Sequence, residues 1–311
     1  MGDPAFAVLR QTIIMFIIVV IGALCYKFKL INDEGRKQLS DLVLNIVNPL
    51  LIFLSYQADM RRDLLEGFFW AALMGAGTFA VFIFLSKVIF RNKRSKDNVI
   101  ERFSIIYSNC GFMGTPLIFG VFGAEGVFIQ NGFFTVFNLF VWTHGVMAMS
   151  GEKNIRTIFR ALRSPALIAV GAGLICFFVQ FKLHDVVYTA LNNVAEMTTP
   201  LAMIVAGGSI MSVGLLKSIK NLRVYLIAAV KLLVFPCIGF ALIMFLPCAD
   251  IPKLITLIEF SCPTATIGTM FAVRYNKNPE YAAQIFAVST LLSAITLPVI
   301  TMAGTKILEM I

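Results

Sequence analysis

Charge is scarce in this chain: only 14% of its 311 residues are Asp, Glu, Lys or Arg, while 59% are hydrophobic. A soluble domain of that length has no use for so much apolar surface, and the mean hydropathy of +0.85 argues for a lipid environment instead. Histidine is scarcer still. His144 and His184 are too few and too far apart for a metal-ligand cluster, and a lone His such as His144 is most often a packed one. The cysteines Cys25, Cys110, Cys176, Cys237, Cys248 and Cys262 form no Cys-x-x-Cys pair, which argues against metal or redox chemistry and leaves small apolar packing as their role. There is no Walker A sequence, no His-Glu-x-x-His, no nucleophile elbow and no aligned pair of intramembrane aspartates. The chain is therefore not read as an enzyme, and no metal or organic cofactor is expected.

What the sequence does hold is a series of apolar runs of roughly 18 to 25 residues, each long enough to cross a hydrocarbon core of about 30 Å. They fall near 8–26, 38–56, 67–90, 102–119, 124–149, 164–182, 188–213, 221–247, 252–273 and 281–308. Lipid gives backbone groups no partner, so each should be helical, with irregular backbone only against protein or a wet cavity. An all-α membrane protein of ten spans is predicted.

The net charge of +9 suggests nucleic acid at first sight, but its placement fits the positive-inside rule better. Lys27, Lys29, Arg36 and Lys37 follow span one; Arg91, Lys93, Arg94, Lys96 and Arg102 follow span three. Lys153, Arg156, Arg160 and Arg163 follow span five, and Lys217, Lys220 and Arg223 follow span seven. The opposite loops carry only Arg61, Arg62, Lys182 and Lys253. Both termini are thus expected outside. The first span has no basic region before it and no small-residue cleavage site after it, so it is expected to be retained, and Gly2 lacks the Ser or Thr of a myristoylation signal.

The two halves of the chain match. Asn48-Pro49 in span two recurs as Thr199-Pro200 in span seven, 151 residues on, and Asn109-Cys110 in span four as Ser261-Cys262 in span nine, 152 on. Phe28-Lys29-Leu30 is echoed by Phe181-Lys182-Leu183 at a separation of 153. Each match is weak, but three at nearly one offset mark an internal repeat. Five spans per copy is an odd number, so the second copy starts from the other side of the membrane, giving an inverted repeat about a pseudo-two-fold axis in the membrane plane. The expected organisation is a first repeat over 1–149, a cytoplasmic linker at 150–163 and a second repeat over 164–311.

Paired interruptions in corresponding spans point to a transporter's binding site. Span four reads Tyr107-Ser108-Asn109-Cys110-Gly111-Phe112-Met113-Gly114-Thr115-Pro116, and span nine reads Ser261-Cys262-Pro263-Thr264. Gly114, Pro116, Cys262 and Pro263 are the expected helix breakers, since Gly permits unusual dihedrals and Pro removes a donor. Unwinding leaves backbone N–H groups at half-helix starts, a positive end that suits an anion beside Asn109, Cys110 and Gly111. The alternative is a pair of simple Pro kinks, the more usual role for Pro49, Pro200, Pro236 and Pro298. An intramembrane charge costs about 2.5 to 3.5 kcal/mol on insertion scales, so Lys231 in span eight and Glu259 in span nine need an account. Glu259 is placed to bind Na⁺ or carry H⁺, with Lys231 neutralising it or attracting an anionic substrate; the other reading is a structural ion pair. Asn131 and Asn138 in span five either face the same cavity or bond between helices.

These residues carry a resemblance. Asn48-Pro49-Leu50-Leu51, Asn109 with Met113-Gly114-Thr115-Pro116, and Pro200 through Gly207-Gly208-Ser209 resemble the auxin efflux carrier family, in its bacterial form. So does span nine, where Cys262-Pro263-Thr264-Ala265 runs on to Phe271-Ala272-Val273-Arg274-Tyr275, and span five, where Asn138 and Trp142 stand in place of a plant Gln and Trp. The likeness covers essentially the whole chain. It implies a fold similar to bile-acid sodium symporters, with crossed, broken helices four and nine and elevator-type transport. Spans one, two, six and seven would form a scaffold that makes a homodimer, and spans three to five and eight to ten would carry the substrate. By the same resemblance Asn109 contacts a substrate carboxylate, Pro263 and Thr264 supply crossover backbone, and Ile52, Ser55, Asn138 and Trp142 line the site.

The expected function is movement of small organic anions, such as malonate, malate or auxin-like acids, across the cytoplasmic inner membrane of a bacterium. Na⁺ or H⁺ is the possible coupling ion, and no nucleic-acid partner is expected. Alternatives are a transporter-like sensor that binds without moving its ligand, and a sodium-coupled symporter of bile-acid-like anions.

Overall fold

The computed structural model describes residues 4–59, 61–90, 97–151, 163–212 and 221–310. Among them the backbone is helical, with one isolated β-bridge. Arg91, Lys93, Arg94, Lys96, Lys153, Arg156, Arg160, Lys217 and Lys220, most of the 150–163 linker, and Gly2 lie outside the described residues.

Among the described residues fifteen α-helices follow one another: α1 (Pro4–Lys27), α2 (Asp33–Leu42), α3 (Asn48–Ser55), α4 (Arg62–Ile89), α5 (Asn98–Ile106), α6 (Thr115–Phe140), α7 (Val146–Ser150), α8 (Pro165–Val179), α9 (Asp185–Ala195), α10 (Thr198–Ser212), α11 (Leu222–Ala229), α12 (Phe235–Ile243), α13 (Asp250–Ser261), α14 (Ile267–Arg274) and α15 (Pro279–Leu308). Seven helical runs among the described residues are long and apolar enough to span a bilayer: Phe6–Lys27, Asp33–Ser55, Arg62–Ile89, Cys110–Ser150, Asp185–Ser212, Leu222–Ile243 and Pro279–Leu308. The sixth expected span is the shorter apolar helix α8, and spans four and nine are interrupted. Large apolar side chains such as Ile13, Ile17, Phe69, Leu73, Ile175 and Ile295 are exposed, as lipid contact requires.

At three positions proline shapes a helix without breaking it. Asn48-Pro49, Thr115-Pro116 and Phe235-Pro236 each open an α-segment directly after a five-residue π turn, at Val43–Val47, Cys110–Gly114 and Val230–Val234. A proline ring collides with the carbonyl four residues back, and a wider turn gives it room. Gly123 is different. Its φ of 65° and ψ of −159° lie outside the helical region, and the chain folds back there, since Gln130 Nε2 reaches Thr115 Oγ1 at 2.9 Å, which fifteen residues of straight helix would forbid. Exposed Glu125 just beyond the fold pairs with Arg61 at 2.7 Å.

Side chains give way to backbone where α1 packs along α10. A Cβ on Gly207 would come within 2.0 Å of the Val19 carbonyl oxygen, and one on Gly22 within 2.4 Å of the Ile204 carbonyl oxygen. Small residues are how helices approach closely in lipid, where no hydrophobic force drives them together. On the other side α3 packs along α8, and α4 along α6. Gly207→Val should therefore force α1 and α10 apart and lower the Tm of the detergent-purified protein; an unchanged Tm would contradict this packing.

Candidate functional site

Two broken helices meet at the centre of the chain's polar residues. Helix α5 ends at Ile106, and Tyr107 (φ −97°, ψ 118°) turns extended before the π turn Cys110–Gly114 resumes the helix. Helix α13 ends at Ser261, where Pro263 pushes Cys262 into an extended conformation (φ −59°, ψ 151°). Ser108 and Thr264 then pair as an antiparallel bridge. Asn109 N–H donates to the Pro263 carbonyl at 2.8 Å, and Ala265 N–H to the Tyr107 carbonyl at 2.9 Å. The Thr264 hydroxyl caps the freed carbonyl of Ser104 at 3.0 Å, and Ser289 Oγ accepts from Thr264 N–H at 3.3 Å. Each interruption thus supplies the partners that the other lacks.

A cavity of about 390 Å³ opens on one side of this bridge. Ser108, Asn109, Cys110, Gly111 and Phe112 form one wall, and Ala265, Thr266, Ile267, Met270, Phe271 and Arg274 another. Asn138, Trp142, Asn45 and Asn48 complete it with apolar Leu44, Phe134, Phe137 and Val141. Both helical segments that resume after the breaks therefore present their N-terminal turns to the cavity, with amides of Cys110, Gly111 and Phe112 ahead of the first intrahelical bonds. Asn109 is 4% exposed; its carbonyl accepts from Met113 and Gly114 N–H, while its Nδ2 makes no hydrogen bond among the described residues. Among the described residues the Oδ1 of Asn48 also has no hydrogen-bond partner.

Of the residues singled out from the sequence, Asn109, Cys110, Gly111, Asn138 and Trp142 line this cavity, and Asn138 Nδ2 also donates to the Phe134 carbonyl at 2.8 Å. Pro263 and Thr264 lie in the bridge behind it. Ile52 and Ser55 are buried elsewhere: the Ser55 hydroxyl donates to the Ile52 carbonyl and accepts from Asn131 Nδ2 at 3.0 Å, so Asn131 bonds between helices. Gly114 and Pro116 are not at the break as expected. The interruption falls earlier, at Tyr107–Asn109, because the π turn accommodates Pro116, and Gly114 keeps helical dihedrals (φ −63°, ψ −56°). Gly114 matters for space instead, since a Cβ there would come within 2.3 Å of Glu259 Oε1.

Behind the bridge lie the two intramembrane charges, both fully buried. Glu259 Oε1 accepts from Gln130 Nε2 at 2.9 Å, and its Oε2 has no partner among the described residues. Lys231 Nζ donates to Ser108 Oγ at 2.5 Å and to the Phe260 carbonyl at 3.3 Å. Among the described residues the two make no direct ion pair, so a structural Lys231–Glu259 salt bridge is not what is found. The Tyr107 hydroxyl donates to the Phe140 carbonyl at 3.0 Å and, its one proton so used, accepts from His144 Nδ1–H at 2.8 Å, so this lone His braces the residue that starts the break.

Sequence reasoning missed three groups. Gln130 carries no motif and reaches Glu259 only because Gly123 folds the chain back. Arg274 stood in a recognised segment, but its place on the cavity wall depends on where α14 starts. Glu101 is the third; it is wholly buried, gripped by Arg223 through two bonds of 2.5 and 2.8 Å and by the Tyr281 hydroxyl at 2.9 Å. A Glu in the first turn of an apolar helix was the available signal. The group ties α5 to α11 and α15, holding the first half of the broken span.

The profile of the membrane transport protein family matches residues 7–158 and again 152–301. The chain belongs to this family of membrane transporters, the auxin efflux carrier type. It is similar to an uncharacterized transporter of Methanocaldococcus jannaschii, 26% identical over 304 residues that cover 92% of this chain and 95% of that protein. Another, from Methanothermobacter thermautotrophicus, is 25% identical over 299 residues, 91% of this chain and 94% of its own length. These likenesses place the chain among transporters rather than enzymes.

Removing one partner of a buried ion pair costs on the order of 3–5 kcal/mol, and less here because Arg223 is half exposed. Arg223→Leu should lower Tm, and adding Glu101→Leu should recover part of the loss; a double variant no more stable than Arg223→Leu would contradict the grip on Glu101.

Proposed function

We propose that this chain is a secondary transporter or facilitator of small organic anions, carboxylates such as malonate, malate or auxin-like acids, working by elevator-type alternating access. The observation that carries the reading is the joined pair of breaks beside a cavity, with two half-helix N-termini and the unpartnered Nδ2 of Asn109 at its wall. Positive helix ends and an amide donor suit a carboxylate, and the mostly apolar remainder suits a small organic body.

Packing supports the inverted repeat that this mechanism needs. Span one lies along span seven, and span two along span six, the exchange expected if spans one and two correspond to six and seven. In this reading those four spans are the scaffold and the homodimer contact, within repeats 1–149 and 164–311 joined by the 150–163 linker. Spans three to five and eight to ten move the site across a cytoplasmic membrane, with both termini outside. Ile52 and Ser55 belong to the scaffold side and meet the moving part through Asn131. Glu259, with one free carboxylate oxygen, is the group suited to Na⁺ or H⁺ coupling.

Losing a hydrogen bond to a charged group, about 1.5–3 kcal/mol, corresponds to about 10- to 100-fold in affinity. Asn109→Ala should weaken carboxylate uptake into proteoliposomes by that order, and Pro263→Ala should impair it by letting α13 run on; uptake unchanged in both would refute the assigned site. Glu259→Gln should abolish any dependence of uptake on Na⁺ or pH, and coupling retained in an active variant would exclude Glu259. Saturable flux and exchange of labelled substrate across the vesicle membrane separate a carrier from a sensor, which binds without flux.

A further inference from the structure

We infer that Lys231 is a tethered cation that does, at the crossing of the two broken helices, the work a bound alkali ion would otherwise do, so that this transporter operates without Na⁺. The inference rests on the transporter reading and narrows its coupling ion to H⁺ or none.

The argument starts from where the ammonium sits. Lys231 belongs to the π turn Val230–Val234, which places its side chain, 0% exposed, against both interrupted spans at once. Its Nζ is 2.5 Å from the hydroxyl of Ser108, a member of the bridge, and 3.3 Å from the carbonyl of Phe260, in the last turn of α13. A helix's last carbonyls are unpaired and carry its negative end, so this point attracts a cation. Hydroxyl and carbonyl oxygens are also the donor types that hard cations take. The ammonium therefore occupies the position of strongest attraction, with ligands of the right kind, and its side chain holds it there.

Charge balance leads to the same conclusion. Around the crossing the buried ionisable groups among the described residues are Lys231, Glu259, the Tyr107 phenol and the thiols of Cys110 and Cys262. Lys231 already places one positive charge among them, and a Na⁺ beside it would bring two cations together in a buried site, which is unfavourable. Were Lys231 absent, the Ser108 hydroxyl and the Phe260 carbonyl would be left without their cation.

The ammonium stands behind Ser108 rather than in the cavity, so Lys231 positions the bridge instead of touching substrate. Its removal should loosen both broken helices together.

The test is thermal denaturation of the purified full chain with choline chloride exchanged for NaCl or methylammonium chloride at equal ionic strength. Wild type should show the same Tm in choline and Na⁺. Lys231→Ala should lose on the order of 5–10 °C in choline, the consequence of opening a buried charged network, and recover part of it in Na⁺ or methylammonium. Lys231→Arg, which keeps the charge, should stay indifferent to Na⁺. A wild-type Tm raised by Na⁺ over choline would overturn the inference, as would a folded Lys231→Ala protein that no small cation stabilises. If Lys231→Ala cannot be purified, the wild-type and Lys231→Arg measurements still decide. None of these readings needs a carboxylate to be transported, so failure of the substrate assignment would appear separately, in the uptake of malate or malonate.

Discussion

Backbone hydrogen bonding in a medium without water is the constraint on which the rest of this structure depends. A helix interrupted in lipid leaves amides and carbonyls that cost several kcal/mol each unless something answers them. Here two interruptions answer one another: Asn109 N–H finds the Pro263 carbonyl, and Ala265 N–H the Tyr107 carbonyl. Neither break is tolerable alone, so both must form in the same place, and the helices that carry them are fixed relative to one another. Lys231, Glu259 and the unpartnered amide of Asn109 gather around that contact, where the irregular backbone is answered by protein.

Around the contact the molecule uses polar groups sparingly. The Glu101, Arg223 and Tyr281 group anchors one half-helix, Gln130 steadies Glu259, and His144 braces Tyr107. Elsewhere the helices associate through shape, as at Gly22 and Gly207, where backbone touches backbone. Close backbone approach thus joins α1 to α10, while single side-chain hydrogen bonds, such as Asn131 to Ser55, join other regular helices.

Much of this was legible in the sequence, and the reasons differ from residue to residue. Apolar run length gave helices because lipid permits little else, and the Cys262-Pro263 break was readable because proline acts locally. The break in span four was placed less well. Pro116 drew attention to itself, but a π turn absorbed it, and the chain unwound at Tyr107–Asn109, where no single residue demands it and only the partner strand across the bridge explains it. Asn138 and Trp142 reached the cavity; Ile52 and Ser55 did not, since helix phase alone leaves open which neighbour a buried face meets. Gln130 was missed although the turn between 119 and 124 was expected, because nothing in the sequence tells which buried group a lone Gln on span five will meet.

The π turns before Pro49, Pro116 and Pro236 also bear on how such a chain can change over time. Those before Pro49 and Pro236, which lie inside continuous helices, each amount to one residue inserted into an α-helix and kept, so every side chain downstream is rotated by about 100° from where an unbroken helix would set it. Lys231 faces the crossing, and Asn48 the cavity, only with that extra residue in place. Within these five-residue windows the length of the chain is under tighter constraint than the identity of most residues, and a single deletion would re-aim an entire half-helix where a substitution would alter one contact.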